Sequence, residues 1–530
     1  MEWRRELALS HQVAHPVRPD SQGHHATVRS VSVVRIGIVG AGAAGTSVLD
    51  KLVQDLGKAA SLAREHEITV FDPSMRFGPG RAYLPGSEKA LLNLPARMMS
   101  VRPGEPRHFV EWLGERGHDL LTGEEFLARS VYARYLEDVV AAAVSLGRRR
   151  GVRIRLVGDR VSSISRGIDA FTVHTAAADQ HRFDAVFLCP GTTEPVDTYG
   201  LTGRTGFVID PYPLRKTVSQ IGREQTVAVL GTGLTAIDFV LELAASDHQG
   251  QILAISRSGY LPSVRYAGQG PGLVATSENT VSTLAEARGY LSLLDIYRVL
   301  RTEFRAHNVP MSDLWRELRS DEAPATRFLR HVDEARDGTP WHMVLVAVAR
   351  YLVDKAWPLF DDATRAAFIS RWHGVCARLC APMPQEAAAE LTRLLGTGQL
   401  HLVGDVEMVS ATENGFLVDT ASGRYVADCV VNSVRPRVPV VPRRARQLVG
   451  SMVHGGLAVP HPFGGIRIDV DTGLVQDATG AAVPGLYALG ELTVGERYVE
   501  TTILGAITRR AAQAVQHLID RDPAVRQERP

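Results

Sequence analysis

Apolar residues along this chain gather in short unbroken runs, each ending in a turn rich in glycine and several followed by apolar residues at helical spacing. Val33 to Val39 ends at Gly40-Ala41-Gly42-Ala43-Ala44-Gly45, leads into a helix over 44–56, and is followed by a second run, Glu67 to Phe71. The arrangement recurs: Thr226 to Leu230 ends at Gly231-Thr232-Gly233-Leu234-Thr235-Ala236, a helix follows over 236–244, and Gln251 to Ile255 is the next run. Unbroken apolar runs alternating with helices predict strands buried on both faces in parallel sheets, an α/β architecture. Later runs fit the same plan: Phe183 to Leu188 ends in Cys189-Pro190-Gly191-Thr192, Tyr425 to Asn432 ends in Ser433-Val434-Arg435-Pro436-Arg437, and Gly485 to Leu489 ends in Gly490-Glu491, with a helix over 502–518.

Between 278 and 395 the spacing changes to three and four, which predicts a mainly helical region. One helix is expected over 282–304, where Leu284, Ala287, Leu291, Leu294 and Tyr297 form an apolar stripe with Arg288 at its edge. Trp341, Trp357 and Trp372 read as packing anchors of these helices.

The glycine turns carry a chemistry. In a strand-turn-helix unit Gly40 makes the tight turn, Gly42 lets backbone N–H groups approach a pyrophosphate, and Gly45 permits close helix packing. The anion then sits at the positive helix end, beside Ala43 and Ala44. Asp72, at the end of the second run, is placed to accept hydrogen bonds from ribose hydroxyls, which fits FAD or NAD and disfavours a 2′-phosphate. Its distance from the fingerprint exceeds the usual ~20 residues, the excess being assigned to the connection 57–65. The second unit reverses the sign, with Ser256 and Arg257 where Asp72 stands in the first. A guanidinium there suits a 2′-phosphate and so NADPH, the alternative being a solvated loop arginine. Gly231, Thr232, Gly233, Leu234 and Thr235 are the matching NADPH contacts.

The order of segments assigns the sites. The strand before Gly191 returns the chain to the first sheet, the second unit is inserted after it, and Tyr425 to Asn432 is expected to bring the chain back to the first sheet. The first site is therefore FAD and the inserted one NADPH. The expected division is a tail at 1–30, FAD domain at 31–222, NADPH core at 223–277, helical cover of the substrate pocket at 278–395, FAD domain again at 396–520, and a tail at 521–530. At 530 residues the chain suits two or three domains.

Charge excludes some partners. With 59 basic against 58 acidic residues there is no electrostatic case for nucleic acid or an anionic membrane. Four scattered cysteines argue against a disulfide framework and for a reducing cytoplasm. His373, Cys376 and Cys380 share a helix face, yet lack a matching second half for a metal site. There is no secretory h-region and no apolar run long enough to span a membrane.

The segments Gly80-Arg81-Ala82-Tyr83, Leu91-Leu92-Asn93-Leu94-Pro95-Ala96-Arg97-Met98-Met99-Ser100, Phe109-Val110-Glu111-Trp112-Leu113 and Phe126-Leu127-Ala128-Arg129-Ser130-Val131-Tyr132, with Gly490-Glu491, Gly495 and Glu500-Thr501-Thr502, carry a resemblance. They resemble the FAD/NAD(P)-binding family that includes flavin-dependent L-aspartate N-monooxygenases and a urate hydroxylase, over about 33–518. The resemblance implies that NADPH reduces FAD, that dioxygen adds to the flavin as a C4a-hydroperoxide, and that a nucleophile such as an amine takes the distal oxygen. It also implies FAD contacts at Leu92, Asn93, Met99, Gly191, Gly490, Glu491 and Thr502. Asn93 is the candidate polar contact near the reactive ring, or else a turn residue before Leu94-Pro95. The segment Ala377 to Pro382 departs from a more basic family pattern, which puts a substrate role for that helix in doubt.

Substrate candidates are arginines. Two guanidinium groups at Arg435 and Arg437 are costly to bury without an anion. A substrate carboxylate would supply one through bidentate hydrogen bonds, with Arg437 first and Arg435 in reserve, unless both hold a loop against acidic neighbours. Arg288 either snorkels to solvent or meets the ligand. Convergence of Arg288 and Arg437 would clamp two carboxylates, and this favours a small acidic amino acid, L-aspartate oxidised to nitrosuccinate. A hydroxylase of another amine or a urate-like ring, a flavin reductase without oxygen transfer, and a non-catalytic redox-binding protein are the rival readings. The residues reveal no protein acid or base, and the oligomeric state, homodimer included, stays open.

Overall fold

The computed structural model of the chain describes residues 32–56, 64–84, 87–118, 121–266, 270–353, 355–436, 441–498 and 504–521. Arg437, Thr502, the 57–63 connection and the expected N-terminal tail lie outside them. Two sheets with parallel cores organise the rest. In the first, β1 (Ser32–Val39) has β2 (Arg64–Phe71) and then β3 (Val152–Val157) on one side, with β7 (Ala185–Leu188) and β17 (Ala482–Ala488) on the other; β16 (Leu474–Gln476) closes that edge antiparallel. The second sheet is parallel throughout, in the order β11 (Leu400–Val403), β10 (Ile252–Ile255), β9 (Val227–Leu230), β15 (Cys429–Asn432), β8 (Phe207–Val208).

The inner strands are covered on both faces and are therefore apolar almost throughout, whereas β2 and β3 carry charged residues such as Glu65, Glu67, Arg153 and Arg155. In β7, β9, β10 and β15 every residue is buried. Gly37 in β1 is small for a packing reason, because a Cβ there would stand 3.0 Å from Phe183 Cδ2. Each sheet also carries a three-stranded antiparallel meander at the same point of its chain path. β4 (Val161–Arg166), β5 (Phe171–Thr175) and β6 (Gln180–Phe183) lie between β3 and β7; β12 (Val406–Thr412), β13 (Gly415–Thr420) and β14 (Gly423–Ala427) lie between β11 and β15. The two units are thus the same construction used twice.

Two expectations are corrected here. The run Tyr425 to Asn432 does not return the chain to the first sheet: its first part belongs to β14, and β15 pairs with β9 through Cys429↔Val227 to Asn432↔Leu230. The place beside β7 is filled instead by β17. A short buried apolar strand suits either sheet equally, so its pattern cannot name its neighbour. With β8, β11 and β15 in the second sheet, that unit reaches well beyond 223–277.

The expected 282–304 helix is two helices, Glu278–Glu286 and Leu293–Ala306. Gly289 takes a φ of 78°, and Ser292 and Asp295 form a capping box that starts the second helix. Six further helices lie between this pair and β11, from Met311–Leu318 to Gln385–Gly396, and Trp341 and Trp357 are buried in the core of the region. Among the described residues no helix is long and apolar enough to cross a membrane, and no group of His, Cys, Asp and Glu could hold a metal ion. All four cysteines are unpaired.

A half-buried arginine joins the units. Arg129, at the start of the helix Arg129–Arg149, lies 2.7 Å from Asp238 on the helix Leu234–Ala245 of the second unit. Its guanidinium also donates to the carbonyls of Leu91 and Ala82 at 3.1 and 3.3 Å and to Tyr212 Oη at 3.2 Å, while Tyr212 donates to Asp238. Burial pushes the Asp238 carboxyl up, against the opposing pull of Arg129. Removing Asp238 leaves a buried charge unpaired. Asp238→Ala should therefore cost about 3–5 kcal/mol of stability, seen as a lowered thermal midpoint in calorimetry; an unchanged midpoint would show that Arg129 is satisfied without it.

Candidate functional site

The two glycine fingerprints are built alike. Gly40 and Gly231 have φ values of 98° and 97°, and each donates its N–H to the last residue of the adjacent strand, Phe71 at 2.8 Å and Ile255 at 2.7 Å. This left-handed turn favours glycine, and at Gly40 a Cβ would also stand 2.0 Å from the Cys189 carbonyl oxygen. The helices Ala43–Leu56 and Leu234–Ala245 begin directly afterwards, so N–H groups and the positive helix ends face the space beyond the strand carboxyl ends. A Cβ placed on Gly42 would meet only Gly80, at 3.5 Å, and one on Gly191, Gly233 or Gly490 would meet nothing within 4 Å. The open space sits where α/β sheets bind nucleotides, and both edges fit a dinucleotide pyrophosphate.

Beyond the glycines the two edges differ. Asp72 Oδ2 accepts the Ala41 N–H at 3.0 Å, and Oδ1 accepts Ser74 N–H and Oγ–H at 3.0 and 2.6 Å. The carboxylate thus braces the glycine loop and keeps acceptor capacity on Oδ2 for a ribose hydroxyl. In the second unit, Thr232 is buried and its hydroxyl donates to the Tyr260 carbonyl at 2.8 Å, with Ser256 Oγ at 3.0 Å. Ser256 Oγ in turn accepts the Gly259 N–H at 3.0 Å. Ser256 and Thr232 shape the loop, and the exposed Arg257 is the charge presented to solvent.

Several predicted residues have partners within the protein. Leu92 and Met99 are core side chains, packed with Phe109, Trp112, Tyr132 and Tyr135 beside Ala43 at the dinucleotide end of the first sheet. Asn93 is exposed and its carbonyl accepts Arg265 Nη2 at 2.7 Å. Arg435 does not stand open for a ligand: it pairs with the buried Glu491, whose other oxygen accepts the Thr193 N–H. The anion that the sequence demanded for this arginine is within the protein, supplied by a residue expected to contact FAD. Around them the two chain crossings between the units are stitched together, since Val196 N–H donates to Val434 O and Asn432 Nδ2 donates to Val196 O, both at 3.0 Å. Arg288, with 46% of its side chain exposed, lies 3.5 Å from Asp295, which also pairs with Arg298 at 2.7 Å. A guanidinium with that much exposure and a nearby carboxylate has no unmet need for a ligand.

Two features escaped the sequence reading. Nδ1 of His373 lies 2.5 Å from Tyr498 Oη, and Trp357 stacks on Tyr498 with centroids 4.6 Å apart. Burial and then Arg435 hold the His373 imidazole below its ordinary value, and burial pushes the Tyr498 phenol up, so both are neutral at neutral pH. The second is Arg265, which reaches from the loop after β10 to the Asn93 turn. Neither carries a spacing signal, because each is assembled from distant segments.

Residues 37–193, which include the first fingerprint, Asp72 and Gly191, match the sequence model of an FAD-NAD(P)-binding family. No curated protein matches the sequence. Among solved structures the chain is similar to L-lysine 6-monooxygenase from Pseudomonas syringae, at 17% identity and TM-score 0.55, covering 91% of this chain and 98% of that one. It is similar to ornithine hydroxylase from Pseudomonas aeruginosa, at 14% identity and TM-score 0.54, covering 92% and 98%. The ornithine N-hydroxylase of Kutzneria sp. 744 with reduced FAD, NADP+ and L-ornithine is similar at 14% identity and TM-score 0.53, covering 92% and 99%. At these identities the likeness is one of fold: α/β, with two Rossmann-like units.

Gly233→Val separates the two edges experimentally. The added side chain meets no protein atom within 4 Å at its Cβ and projects into the nucleotide space, so thermal midpoint and bound flavin should be retained while NADPH binding, measured by anaerobic flavin reduction, is largely lost. Reduction at the native rate and affinity would place NADPH elsewhere.

Proposed function

We propose that the chain is an FAD- and NADPH-dependent N-monooxygenase that oxidises the amino group of a small acidic amino acid, with L-aspartate to nitrosuccinate as the leading case. The observation that carries the reading is the pair of open dinucleotide edges with opposite charge, Asp72 on one and Arg257 on the other, in a single chain. Support comes from the fold neighbours, which are hydroxylases of amino groups in lysine and ornithine.

In this reading the fingerprint of the first unit holds the FAD pyrophosphate, Asp72 holds its ribose, and Gly191 and Gly490 leave room for the flavin portion. Gly231 to Thr235 hold the NADPH pyrophosphate and Arg257 its 2′-phosphate. Held at these residues, NADPH and FAD would supply the hydride and the electrons that activate dioxygen. The protein positions the amine and excludes water. The amine must be neutral to act as a nucleophile. Arginine charge around the substrate carboxylates lowers the ammonium pKa and orients the nitrogen. Arg437 is the first candidate for that contact; Arg435 is already matched by Glu491 and Arg288 by Asp295.

A disulfide reductase is the less favoured reading. Burial pushes the Cys189 thiol, beside the first fingerprint, up to about 12, so it is not a ready thiolate there.

Mass spectrometry of products from the purified yellow protein with NADPH, oxygen and L-aspartate tests the reading. A nitrogen-retaining oxygenated product is expected; NADPH consumption with untouched aspartate and peroxide release would shift the substrate to another amine or a urate-like ring. Arg437→Ala should raise the KM for the acidic substrate and leave flavin reduction by NADPH intact. An unchanged KM removes Arg437 from the substrate site.

A further inference from the structure

Several enclosed arginines of this protein meet a carboxylate: Arg129 faces Asp238, Arg102 faces Asp50 and Arg327 faces Glu317. Arg265 does not. Its backbone is locked, with the N–H donated to Met383 O at 2.9 Å and its own carbonyl accepting Gln385 Nε2 at 3.0 Å. From there the side chain crosses to the other unit, donating from Nη2 to the carbonyls of Asn93 and Pro382 at 2.7 and 3.4 Å, with the guanidinium 5.4 Å from the Phe126 ring centroid. Nε is buried without a hydrogen-bond partner. Among the described residues no carboxylate pairs with it.

Its charged neighbours worsen the imbalance. Arg350, on the helix Pro340–Leu352, is exposed and has no carboxylate within ion-pair distance among the described residues, whereas Arg97 is matched by Glu124 at 2.7 Å. Burial, then the repulsion of Arg350, push the Arg265 guanidinium down to about 10, so it keeps its charge at neutral pH at an energetic cost. A desolvated cation with an idle donor and a second unpaired cation beside it is relieved by an anion.

Arg265 follows β10, whose carboxyl end carries Ser256 and Arg257, and it touches the Asn93 turn, whose neighbour Leu92 packs in the cluster beside Ala43 at the start of the first unit's helix. It therefore links the loop after β10 to the Asn93 turn of the first unit.

We propose that Arg265 and Arg350 form a carboxylate subsite at the junction of the Asn93 turn and the helical region, taking one carboxylate of the acidic amino acid. The assignment rests on the function proposed above and adds a contact separate from Arg437. The same charge would also suit a phosphate of NADPH, and the measurements distinguish the two.

Two variants of the FAD-loaded protein serve, Arg265→Gln and Arg350→Gln, the second being exposed and without a structural contact to lose. Each should raise the KM for L-aspartate by about 10- to 100-fold, the effect of one charge-assisted contact, with the NADPH dissociation constant from anaerobic flavin reduction unchanged. Weakened NADPH binding with unchanged aspartate KM would overturn the proposal in favour of a phosphate, and no change in either would make Arg265 purely structural. Succinate provides a readout that needs no turnover. It should raise the thermal midpoint of the FAD-loaded wild-type protein and fail to do so in both variants. If wild type makes no product from aspartate yet this succinate effect is present and depends on Arg265 and Arg350, the subsite stands and the proposed reaction fails; if product forms but succinate stabilises the variants as well as wild type, the reverse holds.

Discussion

The architecture depends on one desolvated ion pair, Arg129 with Asp238. Two sheets, each complete in its own core, would otherwise meet through loops. Arg129 draws together the carbonyls of Ala82 and Leu91 in the first unit and the nucleotide-side helix of the second, with Tyr212 completing the ring of contacts. A buried pair of this kind contributes less to net stability than to geometry, because alternatives that separate the charges are so unfavourable. Arg81 reinforces the junction through Asp210 at 2.6 Å, and Ser87 through Glu242 at 2.5 Å. These contacts fix the relation between the two glycine edges.

The second junction lies at the chain crossings. Glu491 holds Arg435 on one crossing and Thr193 on the other, and the crossings hydrogen-bond directly through Val196, Asn432 and Val434. Residues beside the cofactor edges are therefore occupied in fixing the frame, which explains why Arg435 is unavailable to a substrate. Arg265, by contrast, has no carboxylate partner among the described residues.

Duplication makes the chemistry readable. Because the units share strand order and meander position, residues correspond: Gly42 with Gly233, Asp72 with Ser256, Gly191 with Arg435. The glycines agree because both edges make the same left-handed turn into a helix. The others differ in charge: Asp72 braces its glycine loop where Ser256 and the exposed Arg257 stand in the second unit, and Arg435 ties the second unit back to the first through Glu491.

Local pattern was sufficient for the strands, the fingerprint turns and the helical region, since an unbroken apolar run, a glycine with positive φ and a three-four spacing each reflect forces acting within a few residues. It was also enough to say that Arg435 and Arg437 need an anion. It could not say that Glu491, far along the chain, is the anion for Arg435, nor that β15 lies beside β9, because a four-residue apolar strand carries no address. The break at Gly289 was legible in principle, through Ser292 and Asp295 as a capping box, and was masked by a continuous apolar stripe. Sequence by itself determined two nucleotide units and their opposite charge, because backbone turns and strand-end residues are local. Tertiary structure alone decided which charges are satisfied within the protein, because burial and pairing depend on segments that meet only in the folded chain.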